Sequence, residues 1–308
     1  MKKFFTIILI FVFVNCKSQI NPKVSLIVLG TVQDGGSPHI GCKKECCSKL
    51  FKNPDPNRKV VSLGVIDYEN NKTFLFEATP DMPAQLKLLK ELAQKEVEIP
   101  DGILLTHAHI GHYTGLMFLG REAMGSNAAP VYAMPKMKSF LETNGPWSQL
   151  VVLKNIVLKD INHEERLLLT NNLTVIPFKV PHRDEFSETV GYTIVGPQKS
   201  ALFIPDIDKW SKWEKSIIDE IKKVDYAFLD ASFFDSKEIN NRDISEIPHP
   251  FVIESMALFK SLPVSEKNKI HFIHFNHTNP LLNTSSDEAK MVLKNSFNIS
   301  KFNDVFRL

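Results

Sequence analysis

Thr106-His107-Ala108-His109-Ile110-Gly111-His112 follows the apolar run Gly102-Ile103-Leu104-Leu105, so three imidazoles stand just past a predicted strand end. His107 and His109 are two residues apart, and in extended chain their side chains leave on the same side. His112 falls where the chain begins to coil toward Tyr113-Thr114-Gly115-Leu116. A pair at i, i+2 can grip one ion while a third histidine addresses a second, and neutral imidazole suits zinc, iron or manganese. Three of the ten histidines lie within six residues, which argues for metal ligands over solvated loop histidines.

The strand ending there belongs to an alternating pattern. β-Branched or aromatic runs at 24–30, 60–67 and 73–78, bounded by Gly, Pro and Asn, read as strands. Met82, Leu86, Leu89 and Ala93 recur at helical spacing across 81–96. Strand 103–106, helix 113–124, a strand near Val131, helix 136–143 and strands 173–180, 189–195 and 201–204 follow. Helix 210–223, strand 224–230, helix 251–261, strand 269–275 and helix 286–297 complete the chain. Helices set between strands throughout predict an α/β protein of two packed sheets with helices outside. With 308 residues, 43% hydrophobic and 23% charged, the chain can bury a large core in a single domain over 16–308.

Residues 1–15 have a different character. Met1-Lys2-Lys3 precedes the apolar run 4–14, the charged and hydrophobic regions of a secretory signal, too short to span a bilayer, which needs about 20 residues. Cys16 follows directly, before polar Lys17-Ser18-Gln19. This resembles a bacterial lipoprotein signal, which implies lipidation of Cys16, a membrane partner through the lipid, and a place in the cell envelope; a buried N-terminal strand or helix is the competing reading. Loss of Lys2 and Lys3 leaves the mature chain formally neutral. No basic stripe interleaved with aromatics stands out, so nothing points to nucleic acid.

Further candidate ligands close other predicted strands: His182 in Val180-Pro181-His182-Arg183-Asp184, Asp206 in Phe203-Ile204-Pro205-Asp206, and His274 in Phe272-Ile273-His274-Phe275-Asn276-His277. In this order the chain resembles the metallo-β-lactamase superfamily, whose His-x-His-x-Asp-His motif is followed by a lone His, a bridging Asp and a last His. The resemblance implies an αββα sandwich, a first metal on His107, His109 and His182, and a second on His112 and His274 with Asp206 bridging. Gly111 stands where the family carries the second-site aspartate. Loss of that charged ligand predicts a weaker second metal. Gly111→Asp is expected to tighten it, with Asp184 or His277 the first places to seek a replacement ligand.

Leu29-Gly30-Thr31 with Asp34-Gly35-Gly36-Ser37-Pro38, Thr114-Gly115-Leu116 with Arg121-Glu122, His182-Arg183-Asp184 with Val190-Gly191-Tyr192, and Asn276-His277-Thr278-Asn279-Pro280 narrow the resemblance. They look like the B protein of pyrroloquinoline-quinone (PQQ) synthesis and the cyclic phosphodiesterase of phosphonate breakdown. Those relatives carry a Cys-rich stretch after the glycine loop, here occupied by Cys42, Cys46 and Cys47. Three thiolates and one histidine make a closed structural zinc site. The resemblance favours His277 as fourth ligand, with His39 and His249 as alternatives. A disulfide is the competing reading for an exported chain, but an odd count and the adjacency of Cys46 and Cys47 weigh against it.

The expected function is hydrolysis of an ester, lactone or phosphodiester in a small-molecule substrate by a zinc-bound hydroxide. One or two Zn2+ ions would sit in the active site and one in the structural site, with iron or manganese as alternatives. Asp206 would bridge or orient the hydroxide, and His249 in Pro248-His249-Pro250 could protonate a leaving group. Two rival readings remain at this level. One is an iron-dependent oxidative role like that of the quinone-biosynthesis protein, opposed by the export signal; the other is a non-catalytic metal-binding lipoprotein, favoured only by Gly111.

Overall fold

The short apolar runs fold as β1 (Val24–Gly30), β2 (Ser62–Asp67), β3 (Lys72–Phe76), β4 (Gly102–Leu104), β5 (Ala129–Ala133), β6 (Ile156–Asp160) and β7 (Leu167–Thr170). They continue as β8 (Leu173–Lys179), β9 (Val190–Val195), β10 (Ser200–Ile204), β11 (Tyr226–Asp230), β12 (Ile270–Ile273), β13 (Asn298–Ile299) and β14 (Val305–Arg307). The computed structural model describes residues 22–238 and 247–308, so residues 1–15, where a signal is expected, and Cys16 lie outside the described residues. Among the described residues no helix is long and apolar enough to cross a membrane.

The strands form two seven-stranded mixed sheets, in the orders β14-β1-β2-β3-β4-β5-β6 and β13-β12-β11-β10-β9-β8-β7. In each, four strands run parallel: β3 to β6 in the first and β10 to β13 in the second. The helices are α1 (Glu45–Ser48), α2 (Met82–Ala93), α3 (Ile110–Tyr113), α4 (Pro135–Thr143), α5 (Trp147–Val152), α6 (Ile217–Lys222), α7 (Val252–Leu258), α8 (Val264–Lys267) and α9 (Asp287–Lys294).

Period-two alternation separates the layers. On β1, Val24, Leu26 and Val28 join Leu63, Phe76, Tyr192 and Phe203 in a cluster between the sheets. Ile27 and Leu29 point the other way, onto Leu86 and Leu89 of α2. A third cluster sets Leu202, Leu229 and Phe272 of the second sheet against Ile217, Val252 and Val292 of α6, α7 and α9. Three apolar layers between four structural ones are the expected αββα sandwich. Both faces of β1 are buried, which is why its sequence is apolar with one exception, Ser25.

Two expected helices are broken. Residues 113–124 form the end of α3 and a 3-10 turn over Thr114–Leu119. There the Gly115 amide bonds outward to Ala78 O at 2.8 Å, and a Cβ on Gly115 would lie 2.1 Å from Thr79 O. The close approach to the β3–α2 connection takes a backbone donor that an α-helix needs. Residues 210–223 divide into a 3-10 turn over Trp210–Lys212 and α6, capped by Ser216. The turn is held by tryptophan N–H bonds to Ser255 Oγ (2.9 Å) and Lys179 O (3.0 Å).

His271 of β12 lies among Tyr226, Phe228 and Phe306, with ring centroids 6.2, 5.3 and 4.8 Å away. Burial pushes its pKa down to about 4 from 6.5. The folded chain therefore holds this proton more weakly than the unfolded one: the stabilisation is present above about 6.5 and lost as pH falls through about 4. His271→Phe should flatten the acid side of the stability curve in that window, read from urea midpoints at several pH values; an unchanged slope would contradict it.

Candidate metal centre

The histidine loop is tied to both sheets before any side chain is considered. Leu105 N donates to Tyr132 O (3.1 Å), Val190 N to Thr106 O (3.2 Å) and Ala108 N to Ser187 Oγ (2.8 Å). His107, His109 and His112 thus emerge after β4 where the sandwich opens, facing Asp206 after β10 and His274 after β12.

His107, His109, His182 and Asp206 offer ligand atoms that all lie within 4.8 Å of one another. His107 Nε2 lies 2.8 Å from His109 Nδ1 and 3.4 Å from Asp206 Oδ2, and His182 Nε2 lies 3.3 Å from Asp206 Oδ1. The opposite ring nitrogens meet fixed partners: His107 Nδ1 meets Thr106 Oγ1 (2.9 Å), His182 Nδ1 meets Asp208 Oδ1 (3.1 Å) and His274 Nδ1 meets Ser232 Oγ (2.9 Å). His112 Nδ1 stands 3.4 Å from Glu77 Oε1, both fully buried. Such partners orient a ring and raise its basicity as a ligand.

Burial pushes His107 well below the ordinary histidine range, helped by His112, and brings His109 to about 4, so both are neutral donors at pH 7. Burial also works against charge on His112, but Glu77, Asp34 and Asp206 outweigh it and raise its pKa to about 9. A cation entering there displaces a proton. Burial opposes charge on Asp206 too, yet His249, His182 and His107 hold its carboxyl well below the carboxylate range.

His112 Nε2, His182 Nε2, Asp206 Oδ1 and His274 Nε2 are buried without a hydrogen-bond partner. Each such orphan costs about 1–3 kcal/mol. Divalent cations would satisfy them together, and the convergent donors are those of a metal-binding His/Asp site.

The second half of the centre differs from expectation. A Cβ at Gly111 would lie 1.8 Å from Asp34 Cβ and 2.3 Å from its Cα, so Gly111→Asp has no room to restore a ligand. Neither suggested replacement is positioned for the role: Asp184 Oδ1 accepts from Thr189 Oγ1 (2.9 Å), and His277 belongs to the cysteine group. Sequence reading also passed over Glu77, Asp208 and Asp230. Asp230, ending β11, was the most accessible of these, because an acid closing an apolar strand is the signal that marked Asp206. Fully buried, it lies 2.8 Å from His249 Nδ1, which is also 3.1 Å from Asp206 Oδ1.

Cys42, Cys47 and His277 form a separate group of potential ligands. Cys46 Sγ lies 3.7 Å from Cys42 Sγ and 3.9 Å from Cys47 Sγ, and no disulfide links the three. Zn–S bonds of about 2.3 Å in a tetrahedron put sulfurs about 3.8 Å apart. His277 Nδ1 is buried without a partner, and burial brings its pKa to about 4, so it is a neutral donor. Of the two alternative fourth ligands, His39 stacks on His277 at 4.4 Å and His249 lies in the histidine centre.

The model of the beta-lactamase superfamily domain matches residues 72–272, a span that carries the histidine loop, Asp206 and Asp230. The chain belongs to this superfamily. The coenzyme PQQ synthesis protein B of Gluconobacter oxydans is 22% identical, over 92% of this chain and 99% of its own. The crystal structure of zinc-bound PqqB from Methylobacterium extorquens superposes with a TM-score of 0.75 at 20% identity, over 92% of this chain and all of that one. A diphosphatase of the PhnP family superposes with a TM-score of 0.61 at 23% identity, over 92% of this chain and 96% of that one. These likenesses extend the superfamily's fold over nearly the whole described chain.

His107→Ala should remove a tightly held ion from the centre, measured by mass spectrometry of metals after exhaustive dialysis; full retention would rule out the His107, His109, His182 set. Cys42→Ser should remove a different ion and lower the thermal midpoint while leaving the histidine-bound metal in place. Peptide mapping that found a Cys42 disulfide and no lost zinc would exclude the thiolate site.

Proposed function

We propose that this protein is a metal-dependent hydrolase of an ester, lactone or phosphodiester in a small-molecule substrate, with His249 protonating the leaving group. The carrying observation is the His249 Nδ1 contact with Asp230 (2.8 Å) and Asp206 (3.1 Å) beside the metal ligands. His107, His109 and His182 would hold the first ion, and His112, His274 and Asp206 a second. Such ions would supply a water of lowered pKa as the nucleophile and a Lewis acid for the oxygen under attack.

The protein's part is orientation and proton supply. Burial opposes charge on His249, but Asp230 and Asp206 raise its pKa well above the ordinary range, which favours its proton-donating form. Nδ1–H faces the carboxylates, which leaves Nε2–H to donate. Ser232 Oγ, 2.8 Å from Asp230 Oδ1 and 2.9 Å from His274 Nδ1, links this acid to the ligand array.

Zinc is supported by the nitrogen and oxygen donors and by the zinc-bound PqqB neighbour. The diphosphatase neighbour supports hydrolysis at phosphorus among the reaction classes. The PQQ synthesis relatives support a second reading, a role in making a quinone cofactor, and an oxidative version of it would draw on the same donors, which also suit iron. Export and lipid anchoring at Cys16 complete the proposal and rest on residues 1–16.

Metal content of protein purified without added metal separates the two chemistries. Zinc with hydrolysis of a panel of phosphodiesters, esters and lactones upholds the hydrolase; iron with oxygen uptake and no hydrolysis overturns it. His249→Ala should slow substrates with alkoxide leaving groups about 10²–10⁴-fold and nitrophenyl substrates far less, since nitrophenolate departs without a proton. Equal losses on both would remove His249 as the acid.

A further inference from the structure

Gly111 and Asp34 occupy one space. A Cβ on Gly111 would meet Asp34 Cβ at 1.8 Å, its Cα at 2.3 Å and its Cγ at 3.2 Å, so the carboxylate of Asp34 begins where a side chain at position 111 would have stood. Asp34, His112 and His274 offer ligand atoms all within 4.8 Å of one another. His112 Nε2 and His274 Nε2 are both buried and without a hydrogen-bond partner.

The loop carrying Asp34 is held there by backbone. Phe275 N donates to Thr31 O (2.8 Å) and Gln33 N to Phe275 O (2.8 Å), clamping the loop to the residue after His274. Val32 bridges both Val60 and Phe275. Gln33 Nε2 donates to Asp34 Oδ1, which orients the carboxylate as an outer partner orients a ligand.

We propose that Asp34, from the glycine loop after β1, is the carboxylate ligand of the second metal, in place of a side chain at position 111. The inference rests on reading the histidine centre as a metal site. Two imidazoles and a shared Asp206 make a weak second site for a dication; one more carboxylate oxygen restores the missing ligand and charge. Gly111 is then a requirement of the second site rather than a defect in it, because only a residue without Cβ leaves Asp34 room.

Titration of metal-free protein with zinc or cobalt(II), followed by metal counting and by the cobalt ligand-field spectrum, tests this without an activity assay. The wild-type chain should take up two ions in the histidine centre. Asp34→Asn should weaken the second by at least about tenfold, since even outer partners of a ligand are worth 10- to 100-fold. The first ion should stay in place. Gly111→Asp alone should not tighten the second ion, whereas Asp34→Gly combined with Gly111→Asp should recover it by moving the carboxylate across the same space. An Asp34→Asn protein that titrates like wild type overturns the inference. A wild-type chain with one ion in the centre also overturns it while leaving the hydrolase reading intact; a chain with none overturns both.

Discussion

The buried carboxylate of Asp206 is the constraint on which the rest of the structure depends. Its oxygens lie 3.4 Å from His107, 3.8 Å from His112, 3.3 Å from His182 and 3.1 Å from His249. A charge this deep is tolerated only when paired. The pairing comes from both sheets: His107 and His112 follow β4 of the first, while His182 and His249 belong to the second half of the chain. The apolar cluster between the sheets brings these groups together, and their mutual neutralisation favours that one way of closing. Unpaired nitrogens remain, as expected of a scaffold completed by cations.

The glycine loop is a second clamp on the same geometry. It pairs with Phe275, the residue after His274, carries Asp34 to the histidine centre, and continues to Cys42 and Cys47 beside His277. One short segment therefore stands between two clusters of potential metal ligands. Ordering at either cluster restricts the loop, and a restricted loop costs less entropy to order at the other.

Catalytic possibilities on this scaffold depend on side chains rather than on the sandwich, because one fold supports several chemistries. The distinguishing pair is His249 with Asp230. A histidine whose proton two carboxylates help to hold, beside an array of potential metal ligands, suits expulsion of a poor leaving group of the kind an ester or phosphodiester carries.

Much of this was legible in the chain alone. Apolar runs marked β1 at its observed limits, and the spacing of His107 and His109 marked one face of an extended segment. His182, Asp206 and His274 stood out because each closes an apolar strand. The paired carboxylates Asp34, Glu77, Asp208 and Asp230 were decided by tertiary structure, since each matters only through a partner far away in sequence. Gly111 shows the difference most sharply. By its motif it is a missing ligand; in space it is room for Asp34, and no local pattern carries the distance between two loops. The broken helix after His112 has the same origin: helical periodicity describes a segment's own hydrogen bonds, and Gly115 gives its amide to Ala78 instead.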